Sequence, residues 1–322
     1  MATLKDFRDE RLRKLAELKQ LGVNPYPAEA HRDIGIGELL DLYEKDTPTD
    51  PTVSIQPDLS KFQNDSSAPY RFRHEVSICG RITGIRKFGA IAFISVRDSS
   101  GEIQLMFDGG KDERFEKSPD NLTLEDIHLL DTGDFIECRG ATIRTSSGKP
   151  TLAIFRLRLL AKSLRPMPLR HEGFTDKEQR LRRRYIDTNV NEDVRQRYIR
   201  RSKFWTATRD FLNERGFLEI NIPVLEHTTG GADANPFVTH MDALDQDFYL
   251  RISHELPLKR LIGGGYEKVY DIGPRFRNEN YTEEHLPEHI AMEWYWAYAN
   301  WEQGMQLMED MFAYVLEKTF GT

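Results

Sequence analysis

The stretch that most constrains this chain is residues 269–299, VYDIGPRFRNENYTEEHLPEHIAMEWYWAYA. It opens with Val269, Tyr270, Asp271, Ile272 and Gly273, which alternate as a strand does, and Pro274 then marks a kink or an edge position. Arg277, Asn278 and Glu279 lead into a polar bend with Asn280, Glu283 and Glu284, and a return run follows from Ile290 to Trp296. Two strands joined by a charged loop predict an antiparallel hairpin. Glu293 and Tyr295 are two residues apart, so they share one face of the return strand. Arg277 closes the outgoing strand within reach of that face. Charges gathered in this way are costly to bury without partners, and a ligand carrying both negative and positive groups would resolve the cost. The same residues also suit a surface hairpin with cross-strand ion pairs.

Length and composition bound what surrounds the hairpin. A chain of 322 residues holds two domains and a sizeable core, and 30% charged with 11% aromatic residues is an ordinary folded balance. No apolar run reaches the length of a membrane span, and the charged N-terminus carries no hydrophobic signal core. Cys79 and Cys138 are the only cysteines and stand in no zinc-type spacing, so a reducing cytoplasm is expected. The net charge of −7 opposes nucleic-acid binding over the whole surface but leaves room for a local basic face.

Before the hairpin the chain changes character three times. Residues 4–21 predict an amphipathic basic helix that Gly22 ends, and a second helix is expected over residues 36–45. Residues 46–69, rich in Pro, Ser, Thr and Asp, read as linker. Alternating runs at 76–84, 90–96, 102–107, 135–141 and 152–160, with turn signals at 98–101, 108–110, 131–133 and 146–148, predict a small closed barrel of OB type with a helical interlude near 122–130. Such barrels bind single-stranded nucleic acid on one face, which makes Arg86, Phe93 and Gln104 candidate base readers. Each of the three also suits an ordinary core or surface position. After a connector with Pro166 and Pro168, the arginines 180 and 182–184 are expected to pair with acids. A long helix from about 191 to 216 and a strand over 217–222, ending at Pro223, follow. Ser253 is a candidate N-cap with Glu255 in the first turn of the next helix, and Gly263, Gly264 and Gly265 lack the ending of a phosphate loop.

The order of these landmarks resembles the class II aminoacyl-tRNA synthetases, specifically the bacterial-type lysyl-tRNA synthetases. Phe276–Arg277–Asn278–Glu279, then His285, Pro287 and Glu288, then Glu293–Trp294–Tyr295, resemble motif 2 of that class. The helix, glycine, strand and proline of 191–223 resemble motif 1, which implies a homodimer. Residues 229–240, TGGADANPFVTH, resemble the loop such enzymes lay over the amino acid. The resemblance implies an α+β multidomain fold: a helical segment and linker over 1–65, an OB-fold anticodon-binding domain over 66–162, a connector over 163–180, and an incomplete class II antiparallel-sheet catalytic domain over 181–322. It implies that Arg86, Phe93 and Gln104 read the anticodon of tRNA(Lys). Gly231, Glu255, Arg277, Glu293 and Tyr295 would bind L-lysine, and Arg277, Glu279, His285 and His289 would bind ATP with Mg²⁺, Arg277 being the catalytic group. No metal ligand is implied in the part present. The chain departs from the family at Ser253–His254 and Pro257, and at Leu286 and His289.

The pocket has a logic of its own. Glu255 would take an α-ammonium, Arg277 a carboxylate, and an acid with a hydroxyl, Glu293 with Tyr295, selects a cationic side chain. An aspartate- or asparagine-type relative and a non-catalytic tRNA-binding module are the alternatives. The family also carries a glycine-rich strand and helix, motif 3, with an arginine for the γ-phosphate. It is absent up to residue 322, so this chain alone is expected to activate lysine weakly or not at all.

Overall fold

The computed structural model describes residues 3–45, 75–108, 115–116, 118–145, 148–168, 174–280, 282 and 284–321. The linker expected at 46–69, parts of the turns at 108–110 and 146–148, and Glu283 lie outside them. The chain separates into two compact units, Met1–Glu172 and Gly173–Thr322.

In the first unit, five strands close into a barrel: β1 (Glu75–Phe88), β2 (Ile91–Arg97), β3 (Glu102–Phe107), β4 (Phe135–Arg144) and β5 (Pro150–Ala161), in the order β1-β2-β3-β5-β4. All pairings are antiparallel except β3 with β5, the parallel contact that closes the ring. This is the expected OB-type barrel. Alternation decides its two surfaces: Ala92, Ile94 and Val96 of β2 and Ile103, Leu105 and Phe107 of β3 are buried in the core. The helical interlude is a 3₁₀ turn, Asp126–Leu129.

Two helices lie against this barrel, α1 (Leu4–Gln20) and α2 (Ile36–Lys45). Thr3 caps α1 in a capping box, and Gly22 (φ +81°) turns the chain after it. Much of the basic face of α1 is committed internally. Arg11 is buried and donates to the carbonyls of Ser163, Arg165 and Thr132 at 2.9, 3.1 and 3.1 Å. Lys14 reaches Asp131 at 2.8 Å, and Arg13 pairs with Glu10 and Glu17. Tyr43 of α2 fastens the barrel seam: its hydroxyl donates to Thr151 O and accepts the Ile143 N–H at 3.1 Å.

The second unit contains α3 (Lys177–Arg182), α4 (Arg184–Val190), α5 (Glu192–Glu214), β6 (Leu218–Glu219), β7 (Leu225–Glu226), β8 (Val238–Met241), β9 (Gln246–Leu250), α6 (Glu255–Gly263), β10 (Lys268–Phe276), β11 (Glu288–Trp296) and α7 (Trp301–Phe320). The predicted hairpin is β10 with β11, antiparallel. Three of the four clustered arginines pair with acids, Arg180 and Arg184 with buried Asp187 at 3.0 and 2.8 Å, and Arg182 with Glu178. The strand expected over 217–222 is shorter. Leu218–Glu219 pairs in parallel with β10, giving the sheet order β11-β10-β6, and the Ile220 N–H adds one bond to Tyr270 O at 2.8 Å. Beyond that, Arg251 captures the Ile222 carbonyl at 3.2 Å and Pro223 has no N–H to give, so the ladder does not resume. One face of the hairpin, with Tyr270, Ile272, Met292, Trp294 and Trp296, packs on Ala207, Phe211 and Leu212 of α5 and Leu307, Met311 and Val315 of α7.

The Tyr43→Phe substitution removes a buried hydroxyl and leaves the Ile143 N–H and one Thr151 lone pair unsatisfied. The first unit should lose about 1–3 kcal/mol, read as a lower denaturation midpoint with unchanged slope.

Candidate active site

The face of the hairpin turned away from that core carries the chemistry. Residues opposite each other in an antiparallel pair project to the same side, and the register sets Asp271 opposite Glu293, Val269 opposite Tyr295, Gly273 opposite Ala291 and Arg275 opposite His289. The parity expected for Glu293 and Tyr295 is therefore present.

Beneath this face lies a buried polar network. Arg251, which follows β9 and is only 2% exposed, donates from Nε to Pro274 O at 2.7 Å and from Nη1 to Ile222 O. Its Nη1 also lies 3.0 Å from Asp271 Oδ2. His254 is fully buried and donates from Nδ1 to the same Asp271 oxygen at 2.6 Å, while its backbone N–H donates to Glu293 Oε1 at 3.2 Å. A Cβ at Gly273 would fall 2.3 Å from Arg251 Nη2, so only glycine lets the guanidinium lie under the sheet.

The turn before α6 brings Glu255 to this face. Its N-cap is His254 rather than Ser253, although Ser253 Oγ still accepts the Glu255 N–H at 3.2 Å and donates to Gly230 O at 2.9 Å. The loop at 230–231 touches the same spot. At Gly231 (φ +83°) a side chain would begin 2.2 Å from Ser253 Oγ and 2.5 Å from Glu255 Cβ. Asn278 N–H donates to Asn235 O at 2.8 Å and ties this loop to the hairpin. Burial, and then the charges of Glu255 and Glu293, push the Tyr295 phenol up to about 12, so it stays a neutral donor at neutral pH. Glu255 is itself paired with Lys259 one turn along α6.

The ATP candidates gather at the other end of the hairpin. Arg277, Glu279, His285 and His289 line one open pocket of about 300 Å³ with Asn280, Glu284 and Leu286. The Arg277 backbone N–H is held by Pro287 O at 2.9 Å, and its Nε is buried with no hydrogen-bond partner among the described residues. Thr282 Oγ1 accepts the His285 N–H at 3.1 Å and lies 2.8 Å from His285 Nδ1. Among the described residues no group of three His, Cys, Asp or Glu is set to hold a metal ion.

Arg275, which carries no motif signal, belongs to this site too. Its Nε donates to His289 Nε2 at 2.7 Å, and its Nη1 lies 3.9 Å from Glu293 Oε1. Burial, Arg275 and Arg277 lower the His289 pKa below the ordinary 6.5, which keeps the ring neutral and able to accept that bond.

On the barrel, Arg86 stands opposite Phe93, and Gln104 stands opposite Ser95 one rung further along. All three thus share the outward face. Arg86 is exposed and Phe93 half-buried, with its ring 6.2 Å from Phe88. Gln104 is buried and already engaged: Nε2 donates to Thr151 Oγ1 at 3.3 Å and Oε1 accepts from Lys149 Nζ at 3.2 Å.

Comparison with known proteins agrees with this architecture. Residues 76–165 match the family described as OB-fold nucleic acid binding domain, and residues 176–322 match tRNA synthetases class II (D, K and N). The two units are thus an OB barrel and a domain of the class II tRNA synthetase type. Among curated relatives, a lysine–tRNA ligase of Fervidobacterium nodosum is 38% identical over 319 residues, covering 99% of this chain and 57% of that protein. Its counterparts from Roseiflexus castenholzii and Thermotoga maritima are 40% and 36% identical over 99% of this chain, and 60% and 59% of their own length. Nearly the whole chain is therefore similar to lysine–tRNA ligases, and its second unit to the class II synthetases. It spans somewhat more than half the length of those relatives.

Two outcomes follow from this geometry. Gly273→Ala forces the Arg251 guanidinium off Asp271, and breaking that buried pair should lower stability by about 3 kcal/mol in chemical denaturation. His289 should titrate below 6.5 and be found as the Nδ1–H tautomer at pH 7 by ¹⁵N NMR. Because the folded state disfavours its protonation, its contribution to stability is present above 6.5 and fades as the pH falls below that value.

Proposed function

We propose that the chain carries the lysine-activating and tRNA-reading parts of a lysine–tRNA ligase. The observation that carries this is the convergence of Gly231, Glu255, Glu293 and Tyr295 on one sheet face, with Arg277 unsatisfied at its end. Glu255 takes the α-ammonium of L-lysine, displacing Lys259. Glu293 and the neutral Tyr295 hydroxyl take the side-chain ammonium, which a charge-assisted hydrogen bond recognises with roughly 1.5–3 kcal/mol. Arg277 lies between the lysine carboxylate and the α-phosphate of ATP. Glu279 and His289 hold adenine and His285 the triphosphate, which brings Mg²⁺ with it as a substrate-borne cation.

In the first step a lysine carboxylate oxygen attacks the α-phosphorus, forming lysyl-adenylate as the bond to pyrophosphate breaks. The ribose hydroxyl at the end of tRNA(Lys) then attacks the lysyl carbonyl and AMP leaves. Neither step asks these residues for a strong general base. Positioning and charge neutralisation by Arg277 do most of the work. On the barrel (proposed bounds 66–162) Phe93 stacks an anticodon base, with Arg86 and the pre-oriented Gln104 amide reading base edges. A homodimer through α5 and β6, and a cytoplasmic location, belong to the same reading.

The test is lysine binding by calorimetry together with amino-acid-dependent ATP–pyrophosphate exchange across the standard amino acids. Lysine alone should bind and, where exchange is seen, support it. Glu293→Gln should weaken lysine binding about ten- to a hundredfold. Response to aspartate or asparagine in place of lysine overturns the pocket assignment. On the barrel, Phe93→Ala should weaken the anticodon-stem–loop complex about tenfold or more in a filter-binding titration.

A further inference from the structure

His254 touches neither the nucleotide pocket nor solvent, yet it joins two carboxylates of the amino-acid face. Asp271 and Glu293 stand directly opposite each other across the hairpin, an arrangement in which two carboxylates repel. The conflict is settled unequally. Asp271 is buried and shared by Arg251 Nη1 at 3.0 Å and His254 Nδ1 at 2.6 Å. Glu293 is held more loosely, by the His254 backbone N–H at 3.2 Å and by Arg275 at 3.9 Å. One residue thus bonds both carboxylates, the first through its ring and the second through its main chain.

The ring is not a simple packing element. Its Nε2 is buried without a hydrogen-bond partner among the described residues, a cost that a phenylalanine or leucine of similar volume would not carry. What the histidine adds is the Nδ1 bond. That bond ties the 253–255 turn to the floor of the sheet, and the same turn presents the N–H that Glu293 accepts and begins the helix that carries Glu255.

We infer that His254 is a positioning residue for lysine selection: anchored on Asp271, it holds the Glu293 carboxylate in place for the side-chain ammonium of the substrate. The inference rests on the reading of Glu293 given under the proposed function. Removing the ring bond loosens the turn, and leaves Asp271 less neutralised beside Glu293. The loss falls on the side-chain cation, because Glu293 accepts its N–H from His254 itself, whereas the start of α6 that carries Glu255 keeps a second tether through Ser253 Oγ, which accepts the Glu255 N–H at 3.2 Å and donates to Gly230 O at 2.9 Å.

The test compares wild type with His254→Phe and His254→Asn in the 322-residue chain. L-Lysine affinity is measured by calorimetry, and that of norleucine, which has the same chain length without the ammonium, by displacement of lysine. His254→Phe should lower the preference for lysine over norleucine about tenfold with norleucine affinity unchanged. His254→Asn, whose amide can donate to Asp271, should recover most of it. His254→Leu replaces the phenylalanine chain if that does not fold. A wild-type preference in the apolar variants overturns the inference, as does an equal loss in the apolar and asparagine variants. Equal binding of lysine and norleucine by the wild-type chain overturns the lysine reading itself, and the inference with it.

Discussion

A single carboxylate oxygen, Asp271 Oδ2, organises the second unit's polar face. It receives the Arg251 guanidinium from just after β9 and the His254 imidazole from just before α6, and so pins the 251–254 turn against β10. A buried acid between two donors is stable only while both remain, since either loss leaves charge without compensation in a medium that screens poorly. The surroundings therefore enforce the arrangement. Pro274 and Ile222 lend carbonyls to Arg251, Gly273 clears space over it, and Phe276 N–H donates to Arg251 O at 2.9 Å. The candidate site acids, Glu255 and Glu293, are placed by elements that this knot fixes.

The other side of the same hairpin is apolar, with Phe217 edge-on to Trp294 and Trp296 at 5.9 and 6.0 Å and Lys268 over Trp296 at 4.7 Å. Pleating alone separates the two environments. The barrel uses the same device: apolar side chains fill it, while Phe93 and Arg86 face out from the rungs between. Both units thus combine core and candidate site within single strands, which keeps the candidate side chains on rigid elements.

What could be read from the sequence was what has a short period. The barrel strands and the hairpin are visible because alternation is a local signal, and the shared face of Glu293 and Tyr295 needs only the count of two. Helix ends were legible where Gly22 and Gly216 supply a left-handed residue. The knot around Asp271 was not, because Arg251 and His254 are separated from it by a helix and a turn, and no periodicity links them. Arg275 was overlooked for a related reason: its partner His289 is set by the hairpin register, which a loop of uncertain length conceals. The strand after α5 was overestimated because its carbonyl at Ile222 is taken by a side chain from elsewhere. Gln104 was legible as a residue on the right face, while its engagement by Lys149 and Thr151 depends on strand β5, paired in parallel from far along the chain.

The two-sided hairpin has a consequence for how such a protein can change over time. Inserting or deleting one residue within β10 or β11 would turn the tryptophans outward and the acids inward beyond that point, so stability and chemistry would fail together. Substitutions can drift on either side independently, yet the lengths of the two strands cannot. The loop from 277 to 287 is under no such coupling. Variation in this region should accumulate as changes of loop length and composition between strands of frozen length, so the pocket at the loop can be retuned while the face with Glu293 and Tyr295 stays in register.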